Sequence, residues 1–89
     1  MDRLWDVDSS AQFKRRMGKT AAELETSRLN DDCPEIWELD NGDVAIVGRD
    51  VTERFGDRLP AGLTIGADER MVVIPGVMLR SAKPDIADV

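Results

Sequence analysis

The feature that most constrains this chain is an Asn-Gly dipeptide, Asn41-Gly42, set between two apolar-rich runs, Ile36-Trp37-Glu38-Leu39 and Val44-Ala45-Ile46-Val47. Asn-Gly is the dipeptide that best tolerates two successive positive φ angles, as a type I′ hairpin turn requires. A two-residue loop at Asn41-Gly42 opposes Asp40 to Asp43, Leu39 to Val44 and Trp37 to Ile46. Trp37, Leu39, Val44 and Ile46 then share one face of the ribbon and cover a core, while Ile36, Glu38, Ala45 and Val47 share the other. A three-residue loop would set Leu39 against Asp43 and scramble both faces, so the apolar pattern favours the first register. The opposed Asp40 and Asp43 repel in that register, and a four-residue loop that keeps the same pairs relieves them.

Before the hairpin, Asp8-Ser9-Ser10 offers N-cap oxygens, and Phe13, Met17, Ala21 and Leu24 follow at spacings of 4, 4 and 3. That is one helical stripe, and it predicts an N-terminal helical segment over 8–29. Gly18 interrupts the stripe at about 1 kcal/mol relative to Ala, marking a kink, a break or a close contact. Pro34 disfavours helix for Cys33 and ends the segment ahead of the hairpin. Leu4-Trp5-Asp6-Val7 reads as a short edge strand or a flap on the core.

After the hairpin, Asp50-Val51-Thr52-Glu53 has capping-box spacing and opens a short helix over 51–55, closed by Gly56. Leu63 and Ile65 alternate within a loop rich in Pro and Gly. Met71-Val72-Val73-Ile74 predicts a third strand of the same sheet, central enough to be buried on both faces. Val77–Lys83 predicts a last short helix ended by Pro84, with 84–89 a loose tail. The fold class expected is α+β: a single domain over 1–89 with an N-terminal helix packed on a small, mostly antiparallel sheet, plus two short helices. The hairpin, short helix, strand and last helix occupy 35–83.

Eighty-nine residues with net charge −6 form one modest core. Residues 1–30 hold 6 basic against 5 acidic groups, and residues 31–89 hold 6 against 13, so the acidity belongs to the hairpin and the residues after it. Such a balance disfavours general nucleic-acid binding, which draws most of its affinity from Lys and Arg on phosphates. Lys14, Arg15, Arg16 and Lys19 are the one basic cluster. They read as a solvated helix face or, in a sharper reading, as a docking face for an acidic partner or nucleic acid.

Chemistry is constrained mainly by what the chain omits. Without histidine there is no Ser-His-Asp or Cys-His arrangement, and the commonest nitrogen ligand for zinc or iron is missing. A single cysteine, Cys33, makes neither an internal disulfide nor a CxxC site and reads as a small filler. The glycines form no GxGxxG or GxxxxGK[ST] loop. Glu38–Asp43 fails as a calcium loop, because a glycine is needed at position 43, where Asp stands. No cofactor, metal or catalytic residue is assigned.

The segment Cys33–Asp50 and the later Asp68–Pro75 resemble small actinobacterial proteins with no function attached. The resemblance covers about half the chain and implies a bacterial cytoplasmic protein. The absence of a signal peptide and of an ~18-residue apolar run fits the same location. The function expected is a small acidic non-enzymatic protein-interaction module, accessory to a bacterial regulator. Its expected partner interface is Ile36, Ala45, Val47 and Trp5, and a homodimer is one way to bury that patch. The alternatives are a small-molecule or metal-binding domain or a carboxylate-dependent enzyme, and nucleic-acid contact through the N-terminal basic helix.

Overall fold

The computed structural model describes residues 4–25 and 34–86. The expected end of the N-terminal helix and Cys33 lie outside these residues. Among the described residues, five short strands, one helix and one 3-10 turn succeed one another: β1 (Phe13–Arg16), β2 (Glu35–Leu39), β3 (Val44–Val47), β4 (Arg49–Asp50), β5 (Val72–Val73), α1 (Gly76–Ser81), and the 3-10 turn Lys83–Asp85. β1, β2 and β3 form an antiparallel sheet with β2 in the middle, and β4 pairs with β5 in a separate two-stranded ribbon.

The expected N-terminal helix on a sheet is therefore corrected. Phe13–Arg16 is a strand, and no N-terminal helix covers the sheet among the described residues. Gly18 gives the reason. It takes φ +75°, and a Cβ there would lie 2.5 Å from the Ser81 Oγ and 2.8 Å from the Ala82 nitrogen. Of the three roles open to it, close contact with a sequence-distant segment is the one found. A continuous helix through residue 18 would forfeit that contact. Beyond it, Thr20 and Glu23 form a reciprocal capping pair: the Thr20 N–H donates to the Glu23 carboxylate, and the Glu23 N–H donates to the Thr20 hydroxyl. One helical turn follows, closed by the Leu24 N–H on the Thr20 carbonyl.

The hairpin exists, but in the other register. Glu38 faces Val44, Trp37 faces Ala45, Ile36 faces Ile46, and Glu35 faces Val47. The loop is the three-residue one, Asp40-Asn41-Gly42, closed by the Leu39 N–H on the Asp43 carbonyl and the Gly42 N–H on the Leu39 carbonyl. Gly42 takes φ +91° while Asn41 stays out of the left-handed region, as in a type I turn followed by a glycine bulge. This loop separates the two aspartates. Asp40 exchanges bonds with Gln12, accepting from its N–H and donating to its carbonyl, and Asp43 takes up both polar ends of the Asn41 amide.

The register places Ile36, Glu38, Val44 and Ile46 on one face and Glu35, Trp37, Leu39, Ala45 and Val47 on the other. Only the first face meets α1. Ile36, 3% exposed, joins Met17, Ala21, Met78 and Ala82 in the core, with Leu24 and Ile74 packed against it. The expected inward set of Trp37, Leu39, Val44 and Ile46 is corrected: Trp37 and Leu39 lie on the face away from α1, Val44 and Ile46 share the Ile36 face but stay exposed, and Phe13, opposite Leu39, is 69% exposed.

The strand at Val72–Val73 is shorter than expected, belongs to the second ribbon and is exposed on both faces. The expected 51–55 helix is a single turn closed by the Phe55 N–H on the Val51 carbonyl. α1 and the 3-10 turn take the place of the last helix, and Lys83–Asp85 is tied down rather than loose. The Gly18 N–H donates to Asp85 Oδ2 at 2.6 Å, and Arg15 Nη2 donates to the Asp85 carbonyl at 2.6 Å. Leu4–Val7 is exposed and forms no strand. Among the described residues no helix is long and apolar enough to cross a membrane.

Candidate interaction surface

The face of the three-stranded sheet turned away from α1 carries a ladder of rings and charges. β1 sets Phe13 opposite Leu39 and Arg16 opposite Trp37, so their side chains share that face. Phe13 meets Trp37 edge-on, with centroids 5.8 Å apart and planes at 81°. The Arg16 guanidinium lies over the Trp37 ring at 4.9 Å and pairs with Glu35 at 2.8 Å. The Trp37 indole N–H donates to the same Glu35 Oε1 at 2.7 Å. One carboxylate thus orients both the cation and the ring, which fixes a flat apolar platform of Phe13, Trp37, Leu39, Ala45 and Val47.

The expected interface residues divide. Ala45 and Val47 lie on this platform face. Ile36 is on the opposite side: the shifted register parts it from Ala45 and Val47, and it packs in the core with Met17, Met78 and Ala82. Trp5 is exposed at 61% in the N-terminal segment. The basic cluster divides as well. Arg15 points to the α1 side, where Nε meets Glu38 at 2.6 Å and Nη1 approaches Asp85 at 3.4 Å. The hydrogen bond to Glu38 raises the Arg15 pKa further above its ordinary value. Arg16 points to the platform side, while Lys14 sits at the irregularity between Phe13 and Arg15, and Lys19 lies beyond Gly18. A strand has alternated what a helix would have gathered, and Arg15 and Arg16 are paired with acids.

Two open depressions flank the second ribbon. One, of about 470 Å³, is lined by Asp50, Thr52, Glu53, Arg54 and Arg70. The other, of about 520 Å³, is lined by Leu63, Thr64, Ile65, Glu69, Arg70 and Met71. In the first, the Asp50 carboxylate accepts the Thr52 N–H and hydroxyl, bonds that hold its pKa below the usual value. It serves the turn. Among the described residues no group of three His, Cys, Asp or Glu side chains is placed to hold a metal ion.

Sequence reasoning missed Glu35 and Asp85, the two carboxylates that organise the opposite faces. Alternation of Glu35, Trp37 and Leu39 was visible, but their partners on β1 emerge only once Phe13–Arg16 is known to be a strand. No family model, curated protein or solved structure matches this chain. The resemblance to actinobacterial proteins thus finds no counterpart among them.

Proposed function

We propose that this chain is a small, acidic, non-enzymatic protein-interaction module that receives its partner on the open face of β1–β3. The observation that carries the reading is the platform itself. Exposed Phe13 and Val47 flank half-buried Trp37, Leu39 and Ala45, and the Glu35–Arg16 pair holds the central ring in place. Aromatic and aliphatic groups oriented before contact lose little conformational entropy on binding, and contiguous exposed apolar area marks interaction surfaces. With net charge −6 and a pI near 4.5, the molecule steers basic partners toward itself. A bacterial regulator in the cytoplasm is the partner that the sequence resemblance suggests.

Affinity capture from the source cell tests this. A partner retained by the native chain is expected to be lost with Phe13→Glu or Val47→Glu, each at an exposed position, and kept with Lys14→Ala. Recovery of the native chain alone at physiological salt counts against the reading.

A further inference from the structure

The two edges of the three-stranded sheet differ in a way that selects an occupant. The β1 edge is irregular at Lys14 and carries three consecutive cations, Lys14, Arg15 and Arg16. Bulges and charges are the usual means of discouraging a further strand. The β3 edge, Val44-Ala45-Ile46-Val47, has no charge, no proline and no irregularity in its register with β2. Val44 and Ile46 are 49% and 46% exposed.

Hydrogen-bond parity fixes which groups that edge offers. Leu39 and Asp43 are a bonded pair, and bonded and non-bonded pairs alternate along an antiparallel ladder. Trp37–Ala45 and Glu35–Val47 are therefore bonded pairs, and the N–H and C=O groups of Val44 and Ile46 point outward. β3 borders β2 alone within its sheet.

We infer that the β3 edge is completed by the β3 strand of a second copy, paired antiparallel about a two-fold axis at Ala45. This register sets Val44 of each copy opposite Ile46 of the other, using all four outward N–H and C=O groups of each strand. It joins two three-stranded sheets into one of six. Ala45 faces Ala45 across the axis in the non-bonded position, where side chains come closest and a methyl fits. Charge agrees with the pairing. Asp43 precedes the strand and Arg49 lies beyond its end, so antiparallel pairing brings each Asp43 to the end that holds Arg49 of the second copy. The inference adds a second copy to the interaction-module reading but uses the sheet edge, leaving the platform face free on both copies.

Sedimentation across micromolar to millimolar concentration, with amide exchange by NMR, tests it. The expected result is a concentration-dependent rise from 9.9 kDa toward twice that mass. Val44 and Ile46 amides should gain protection in step with mass, while the Ala45 and Val47 amides, bonded to β2, are protected throughout. Ile46→Pro removes only an outward N–H and should abolish the association while keeping the β2 ladder. Ile46→Lys should weaken it by more than about tenfold. A monomer at every concentration overturns the inference, and so does a dimer in which Val44 and Ile46 exchange freely. Both readouts come from the native chain, so a variant that unfolds does not decide the matter. A monomer that still loses a captured partner on Phe13→Glu would sink the dimer and leave the platform reading standing.

Discussion

The three-stranded sheet and the β4–β5 ribbon are built on different principles. The first is held by contacts between distant parts of the chain. Met17, Ala21 and Ile36 pack on Met78 and Ala82, and Gly18 and Arg15 reach Asp85 across nearly seventy residues of sequence. The ribbon buries one large apolar side chain, Val51. Its order comes from polar bonds of shorter reach: Asp50 on Thr52, Thr52 on Met71, and Glu69 on the Gly66 N–H. Long-range burial gives a region cooperative stability, whereas local hydrogen bonds largely exposed to water each contribute about 1 kcal/mol. The sheet should therefore open only with the whole molecule, and the ribbon before it.

The sharpest way to break this contrast is to make a cavity on each side. Met78→Ala removes the one large side chain with no exposure among the described residues and should cost about 2–5 kcal/mol, a large share of the stability of so small a chain. Val51→Ala should cost about 1–2 kcal/mol, accelerating exchange of the Val51, Met71 and Val73 amides but not that of Trp37. Equal loss of protection in both regions under Val51→Ala would mean that they unfold as one unit.

A smaller effect compares two glycines of similar φ. Gly18→Ala meets backbone strain and the Ser81–Ala82 wall at under 3 Å, so α1 must shift, at about 2–4 kcal/mol. Gly42→Ala has the same kind of φ and open space around it, and should cost about 1 kcal/mol. Urea melts of both variants separate the two contributions. Near-equal midpoints would mean that the closeness of Gly18 to α1 does not matter and that only its dihedral does.

These same positions show how far the sequence could be read. The hairpin, α1 and the turn after Asp50 were legible because each is specified within a few residues. The register was not. Asn-Gly serves a two-residue loop and also a three-residue loop with glycine last, and in the loop observed Asp40 exchanges two bonds with Gln12, nearly thirty residues before it. The stripe Phe13, Met17, Ala21 and Leu24 is genuine for three members that do reach the core or its margin, yet they reach it from a strand end and a turn. Spacing of 4, 4 and 3 cannot tell those routes from a helix. For the platform, half of the pattern lay in Glu35, Trp37 and Leu39, and the other half depended on a strand the periodicity concealed.

The smallest expected effect is a titration. Both regions contain a carboxylate that closes a turn: Glu23, which accepts the Thr20 N–H, and Asp50, which accepts the Thr52 N–H and hydroxyl. For Asp50 the backbone N–H is the larger cause and the hydroxyl the second, and together they hold its pKa below the ordinary 3.8. A carboxyl whose folded pKa is depressed stabilises the fold above its unfolded value and loses that contribution as pH falls through the folded one. Acid should therefore loosen the turn at Val51–Phe55 below about pH 3.8, and the Glu23 carboxyl, held below its ordinary value mainly by the Thr20 N–H, makes its own turn sensitive in the same direction. Thr52→Val removes the hydroxyl and keeps the N–H, so the Asp50 carboxyl followed by NMR should move part of the way back toward 3.8. It also removes the acceptor of the Met71 N–H, which makes ribbon exchange faster at neutral pH by a margin worth about 1 kcal/mol. A titration that does not move would mean that the backbone bond alone sets the Asp50 pKa. Faster exchange in β2 as well would show that the ribbon and the sheet are coupled.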